Sequence, residues 1–277
     1  MAKPHFGEFL APSGNAKNSI GEKMSRARRR FLIEEGDVRQ GRVVLAGAQF
    51  HHAANVLRLK RGDNVTLFTR GGAEYKARVE AARAGSMTLE VLSEARRPGQ
   101  AGLELTVLQG LVRGPAMDLI VQKCAELGAA GLVAVEMMRS TARLDAKHHA
   151  GSGAKQERWQ KIADRAAEQC GAPRPMRVRA ARGLEQALRE QEGEALVALH
   201  EEESRAGLRQ VLEPLRGARS LALLIGPEGG LDPREVDMLK GVGARFAGLG
   251  PRILRAETAA LAVCSIVMYE CGALEAS

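Results

Sequence analysis

The stretch Leu221-Ala-Leu-Leu-Ile225-Gly226-Pro-Glu-Gly-Gly230-Leu-Asp-Pro-Arg-Glu235 decides the fold. Leu221–Ile225 is an unbroken apolar run, as expected of a strand buried on both faces. At Gly226 the run gives way to a glycine-rich loop. Asp232 then suits a helix N-cap, Pro233 the first helical position, and Glu235 the third member of a capping box. The loop therefore lies between the carboxyl end of a strand and the start of a helix, where open α/β sheets bind ligands. Glycine permits positive φ and close backbone approach, and its amides can hold a polar ligand. A tight structural turn is the alternative reading. The spacing is not G-x-x-x-x-G-K-[ST], which argues against a P-loop ATPase. It is not G-x-G-x-x-G either, and it stands near the end of the chain, which argues against a Rossmann dehydrogenase or a Rossmann-type methyltransferase.

Downstream, the next strand ends at Leu249-Gly250, and Pro251–Thr258 leads into a helix spanning about Thr258 to Tyr269. That helix is apolar nearly all round, so it must be covered on more than one side, by the core and by a second subunit. Arg252, Arg255 and Glu257 stand between these buried elements. A surface ion pair, Arg252–Glu257, is the alternative to a ligand role.

Upstream, strands and helices alternate from Glu104. Strands are predicted at Leu105–Gln109, Leu132–Glu136, Met176–Arg179, Ala195–His200, Ser220–Ile225 and Arg245–Leu249, and helices at Pro115–Leu127 and Glu157–Cys170. The alternation predicts an α/β domain with a mostly parallel sheet covered on both faces. Residues 30–92 read differently. Short alternating strands (Arg42–Leu45, Asn64–Thr69, Glu74–Glu80, Ser86–Leu92), a hairpin turn at Gly71-Gly72 and one helix at Gln49–Leu59 predict a small β barrel-like domain. Glu94–Gly102, with Pro98 and two glycines, reads as a linker. The expected division is 1–25 as a disordered extension, with Met24 as an alternative start, then domains at 26–95 and 96–277.

Composition agrees with two globular domains: 277 residues, 45% of them apolar. No apolar run approaches the length needed to span a bilayer, and no secretory core opens the chain, so a cytoplasmic protein is expected. The net charge of +8 invites a polyanion. Yet residues 1–30 hold seven basic and two acidic side chains, +5 of that total, so the charge belongs mostly to the tail. Cys124, Cys170, Cys264 and Cys271 form no C-x-x-C pair and read as reduced, mostly buried thiols. The pairs His51-His52 and His148-His149 lack acidic or cysteine partners, so no metal site is expected.

The paired motifs Leu224-Ile-Gly-Pro-Glu-Gly-Gly230 and Leu249-Gly-Pro-Arg-Ile-Leu-Arg-Ala-Glu-Thr-Ala259 resemble those of the bacterial ribosomal RNA small subunit methyltransferase E family, in the SPOUT superfamily. His51-His52 with Asn55-Val-Leu-Arg-Leu59, Gln122-Lys-Cys-Ala-Glu126-Leu-Gly128, Arg158-Trp159 and Glu168-Gln169 extend the resemblance over about residues 28–272. It implies a trefoil-knotted parallel-sheet domain at the carboxyl end and a PUA-like RNA-binding domain before it. It also implies a homodimer that uses S-adenosylmethionine to methylate N3 of one uridine in 16S rRNA of the small ribosomal subunit. By the same resemblance the cofactor would sit among three loops: Leu199-His200, Ile225–Gly230 (Ile225, Gly226, Glu228, Gly229) and Leu249–Arg255 (Leu249, Gly250, Arg252), with Ile253 and Leu254 as apolar walls. The family usually has an arginine where this chain has Ala172, with Arg174 nearby, and an acidic residue where this chain has Met138.

Methyl transfer from a sulfonium is an in-line displacement that needs no metal, but uridine N3 must lose a proton. Arg255 is the candidate to stabilise negative charge on the uracil oxygens, and Glu257 or Glu228 to accept the proton. Equally, both glutamates read as structural carboxylates at helix starts or in ion pairs. With only nine aromatic residues, base stacking is not the expected grip on RNA. Arg28, Arg30, Arg58, Arg61, Arg139 and Arg174 are the candidates for phosphate contact, with a solvated face as the alternative for each. Two other functions remain open at this point: a knotted methyltransferase acting on tRNA, and a non-catalytic RNA-binding assembly factor.

Overall fold

The computed structural model describes residues 29–96, 102–144, 153–191, 193–200 and 206–274. The expected extension at 1–25, Arg28 and the pair His148-His149 lie outside them. The chain forms two units: one holds the residues up to Phe68 together with Tyr75–Glu94, the other Thr69–Glu74 and everything from Ala95.

The first unit is built on a five-stranded sheet of β1 (Arg30–Leu32), β2 (Arg42–Ala46), β3 (Asn64–Phe68), β4 (Ala73–Arg83) and β5 (Ser86–Arg96), in the order β1-β3-β4-β5-β2. β2 alternates exposed and buried residues against β5, with Val43 and Leu45 inward, the pattern of a half-buried antiparallel strand. The helix expected at Gln49–Leu59 takes a different form. It runs as one α turn, α1 (Gly47–His51), and then widens to a π turn at His52–Val56, closed by Leu57 N–H donating to His52 O. The run starts two residues before the expected Gln49 and ends short of Leu59, because Arg58 turns left-handed at φ +52°.

The second unit carries six parallel strands: β6 (Glu104–Gly110), β7 (Gly131–Val135), β8 (Arg177–Ala181), β9 (Ala195–Leu199), β10 (Ser220–Ile225) and β11 (Arg245–Ala247). Their order is β11-β9-β10-β6-β7-β8. The apolar run of β10 is explained by two cores. Leu221, Leu223 and Ile225 enter one, packed against α2 (Gly114–Glu126), α3 (Ala154–Cys170), α5 (Leu208–Leu212) and α7 (Ala256–Glu270). Ala222 and Leu224 enter the other, against α4 (Leu184–Arg189) and α6 (Pro233–Gly241). Strand side chains alternate with period two, so burial on both faces leaves no polar position in Leu221–Ile225.

α6 starts as the sequence indicates. Asp232 accepts from Arg234 N–H, and Glu235 completes the capping box. β11 stops at Ala247, two residues short of the expected Leu249, because it pairs only with β9 at the sheet edge. No disulfide joins the four cysteines; Cys124 and Cys264 are buried as expected and Cys271 is half-buried, but Cys170 is exposed, because it ends α3 next to its left-handed cap Gly171. Among the described residues no group of His, Cys, Asp or Glu is arranged to hold a metal. No helix among them is long and apolar enough to cross a membrane.

Candidate active site

β11, β9 and β10 are adjacent and parallel, so the segments that follow them leave the same edge of the sheet. Those segments contain Leu199-His200, Ile225–Gly230 and Leu249–Arg255, the three places singled out from the sequence. His200 N–H donates to Ala247 O at 3.2 Å, and its ring stands edge-on to Phe246. Gly248 N–H donates to Ala206 O at 3.4 Å, which ties the start of the third segment to the chain before α5.

The β10 loop is seated on its neighbours. A Cβ at Gly110 would fall 2.5 Å from Pro227 N, so only glycine fits beneath that proline. A Cβ at Gly229 would lie 3.0 Å from both Cβ and O of Arg139. Gln109, fully buried at the end of β6, donates through Nε2 to Gly110 O (2.9 Å) and to Gly226 O (3.4 Å). Glu228 Oε1 accepts the Arg113 N–H at 3.1 Å, at the N-cap of α2. That carboxylate is therefore engaged as a loop tie, which favours its structural reading over a role as base. Gln109, Gly110 and Arg113 were not picked out from the sequence. The signal was there in part, since Gln109 is a polar residue following the apolar pair Val107-Leu108 near the end of its strand.

The β11 loop is different. Arg252 and Ile253 are exposed, Ile253 at 83%. Arg255 is exposed at the N-cap of α7, its carbonyl accepting from Ala259 N–H. Among the described residues none of Arg252, Arg255 and Glu257 forms an ion pair, so the alternative Arg252–Glu257 bridge is not made. Glu257 is half-buried in the first turn of α7, where a carboxylate is favoured by the helix dipole. It borders a groove of about 370 Å³ with Leu119, Thr258, Leu261, Ala262 and Ser265.

The candidate RNA contacts fall in varied places. Arg139 is exposed beside the β10 loop, donating to Gly229 O at 3.4 Å, with Nε 3.6 Å from Asp232. Arg58 is exposed at φ +52°. Arg174 is exposed and 4.0 Å from Glu104. Arg30 is buried, its guanidinium 4.5 Å from the centre of the Phe68 ring, so it packs rather than reaches for phosphate.

Comparison with known proteins gives the class first. Residues 100–268 match the family model of the RNA methyltransferase domain, and residues 45–92 that of the RNA methyltransferase PUA domain. The fold and the loop cluster thus define an RNA methyltransferase with an appended PUA domain. The chain is 32% identical to the ribosomal RNA small subunit methyltransferase E of Bacillus subtilis, over 82% of this chain and 89% of that protein. A crystal structure of a ribosomal RNA small subunit methyltransferase E from Neisseria gonorrhoeae bound to S-adenosyl methionine superposes with a TM-score of 0.76 at 30% identity. It covers 87% of this chain and 96% of that one. A putative methyltransferase from Legionella pneumophila, also bound to that cofactor, gives 0.77 at 28% identity over 87% and 97%. The chain belongs to the ribosomal RNA small subunit methyltransferase E family.

Proposed function

We propose that this protein transfers a methyl group from S-adenosylmethionine to N3 of a specific uridine in the 16S rRNA of the small ribosomal subunit. The observation that carries the reading is the meeting of three loops at the carboxyl ends of β9, β10 and β11. The fit of the cofactor there rests on backbone. Gly226, Gly229 and Gly250 offer backbone amides without side chains in the way, and Gly250 stands at φ +92°. Leu249, Ile253 and Leu254 supply apolar wall, while Leu199-His200 closes the side next to β11 and Ile225 contributes backbone. When bound, the sulfonium supplies an electrophilic methyl group, which needs no metal.

The protein's own part is to place the uracil in line with that methyl and to manage the N3 proton. Arg255, exposed and unpaired among the described residues, is placed to stabilise negative charge on a uracil oxygen. Glu257, two residues on and also without an ion partner among them, is the better candidate to take the proton. Glu228 is occupied by Arg113 N–H. Arg139, Arg58 and Arg174 contribute phosphate contacts.

The apolar surface of α7 and α2 around Leu119, Leu261 and Ile266 supports a homodimer through this domain. The carboxyl-terminal segment is threaded as a trefoil knot, a rare exception to unknotted topology. The site of action is the cytoplasm, where the rRNA is. Titration calorimetry with S-adenosylmethionine tests the reading: well-folded protein binds it, and a folded protein that takes up no heat would refute the enzyme.

A further inference from the structure

We infer that Glu235 is a positioning residue that locks the β10 loop to the loop after β7, so that the cofactor loop and the segment bearing Arg139 hold one relative position. The inference rests on the reading that Gly226–Gly230 binds S-adenosylmethionine.

A capping-box glutamate needs only one oxygen for its helix, and a glutamate is almost never fully buried unless paired. Glu235 is 1% exposed. A buried carboxylate is costly unless both oxygens are satisfied. Oε2 accepts from Asp232 N–H at 2.9 Å, which is the cap of α6. Oε1 accepts from Met138 N–H at 2.9 Å, a donor 97 positions earlier in the chain. The second bond does nothing for the helix. It holds the β7 loop.

The contacts around it leave no slack. Arg139, next to Met138, donates to Gly229 O and lies beside Asp232. Gly229 is already so close to the Arg139 backbone that a Cβ would have to push it aside. The β7 loop is braced within itself, Ser140 Oγ accepting from Met137 N–H and Glu136 from Leu144 N–H. It therefore moves as a body or not at all. Releasing Glu235 Oε1 loosens that body against the glycine loop, and with it Arg139 beside Gly229.

The test compares Glu235→Gln with Val236→Ala, a change in the same helix that removes core packing and leaves both hydrogen bonds. The amide of Glu235→Gln has one acceptor, so one of the two N–H groups is left facing an NH₂. In titration calorimetry its Kd for S-adenosylmethionine rises about tenfold, the weight of one hydrogen bond to a buried charge. At saturating cofactor its kcat stays near the wild-type value, while KM for RNA rises. Val236→Ala, with a comparable fall in Tm, binds the cofactor as the wild type does. Met138→Pro, which removes the donor without touching α6, reproduces the loss, and adding Glu235→Gln to it weakens binding no further. Wild-type affinity in Glu235→Gln or Met138→Pro overturns the inference, as does an equal loss in Val236→Ala. Failure of the wild type itself to bind overturns the proposed function instead.

Discussion

The loops after β10 and β11 leave the same edge of the sheet, yet they are built on opposite plans. The β10 loop is tied at nearly every position. Pro227 rests on Gly110, Glu228 takes Arg113 N–H, Gly229 abuts Arg139, and Gly226 O receives Gln109. The β11 loop presents Arg252, Ile253 and Arg255 to solvent, and none of these arginines is paired among the described residues. The lesson is one of division. A loop whose groups are spent on its neighbours is preorganised to receive a ligand at little entropic cost. A loop whose charges are unspent holds the groups left for chemistry.

Substitutions in the two loops should therefore separate stability from turnover. The largest effect is expected at Gly110→Val. The side chain cannot coexist with Pro227, so the β10 loop is displaced, stability falls by about 1–3 kcal/mol, and cofactor binding is lost. Thermal denaturation with calorimetry checks both, and a variant that still binds at wild-type affinity breaks the picture of a seated loop. Next comes Arg255→Ala, expected to lower kcat about 10²-fold or more at nearly unchanged Tm, as for removal of a group stabilising transition-state charge. Single-turnover methylation reads it, and a kcat within twofold of wild type would remove Arg255 from the chemistry. Glu228→Ala should cost about 1–2 kcal/mol through the lost bond to Arg113, visible in urea unfolding, with turnover reduced but not abolished. Ile253→Ser should leave stability within about 0.5 kcal/mol, because the side chain already faces solvent.

A separate check concerns the packing beneath the site. Cys124 and Cys264 are both buried, and the Cys124 thiol is held well above the ordinary thiol range by its hydrogen bond with Cys264 and by burial. Native protein treated with a thiol reagent near neutral pH should label Cys170 first and spare both buried thiols until unfolding. Early labelling of Cys124 would mean that the α2–α7 packing opens readily.

Much of this was legible from local pattern. The apolar run of β10 foretold a strand buried on both faces, and Asp232, Pro233 and Glu235 marked the start of α6, because caps and periodicity act over a few residues. The contacts between loops were not legible. Nothing in the sequence near Glu235 announces Met138, and nothing near Gly110 announces Pro227, since these pairings arise only when parallel strands bring distant loops to one edge. Arg30 shows the same limit from the other side. It belongs to a basic cluster in the sequence, yet its place in β1 buries it against Phe68. The choice of Arg255, Glu257 and Glu228 as candidates rested on the charge chemistry of N3 methylation, applied to the loops that the resemblance marks. The geometry narrows it physically by occupying Glu228 and leaving Arg255 and Glu257 unpaired among the described residues.

The most direct test of the central claim is mass spectrometry of 16S rRNA from a strain lacking this gene, with and without the gene restored. The account predicts that 3-methyluridine disappears on deletion, returns with the wild-type protein, and stays absent with Gly110→Val. Full retention of 3-methyluridine in the deletion strain would contradict it.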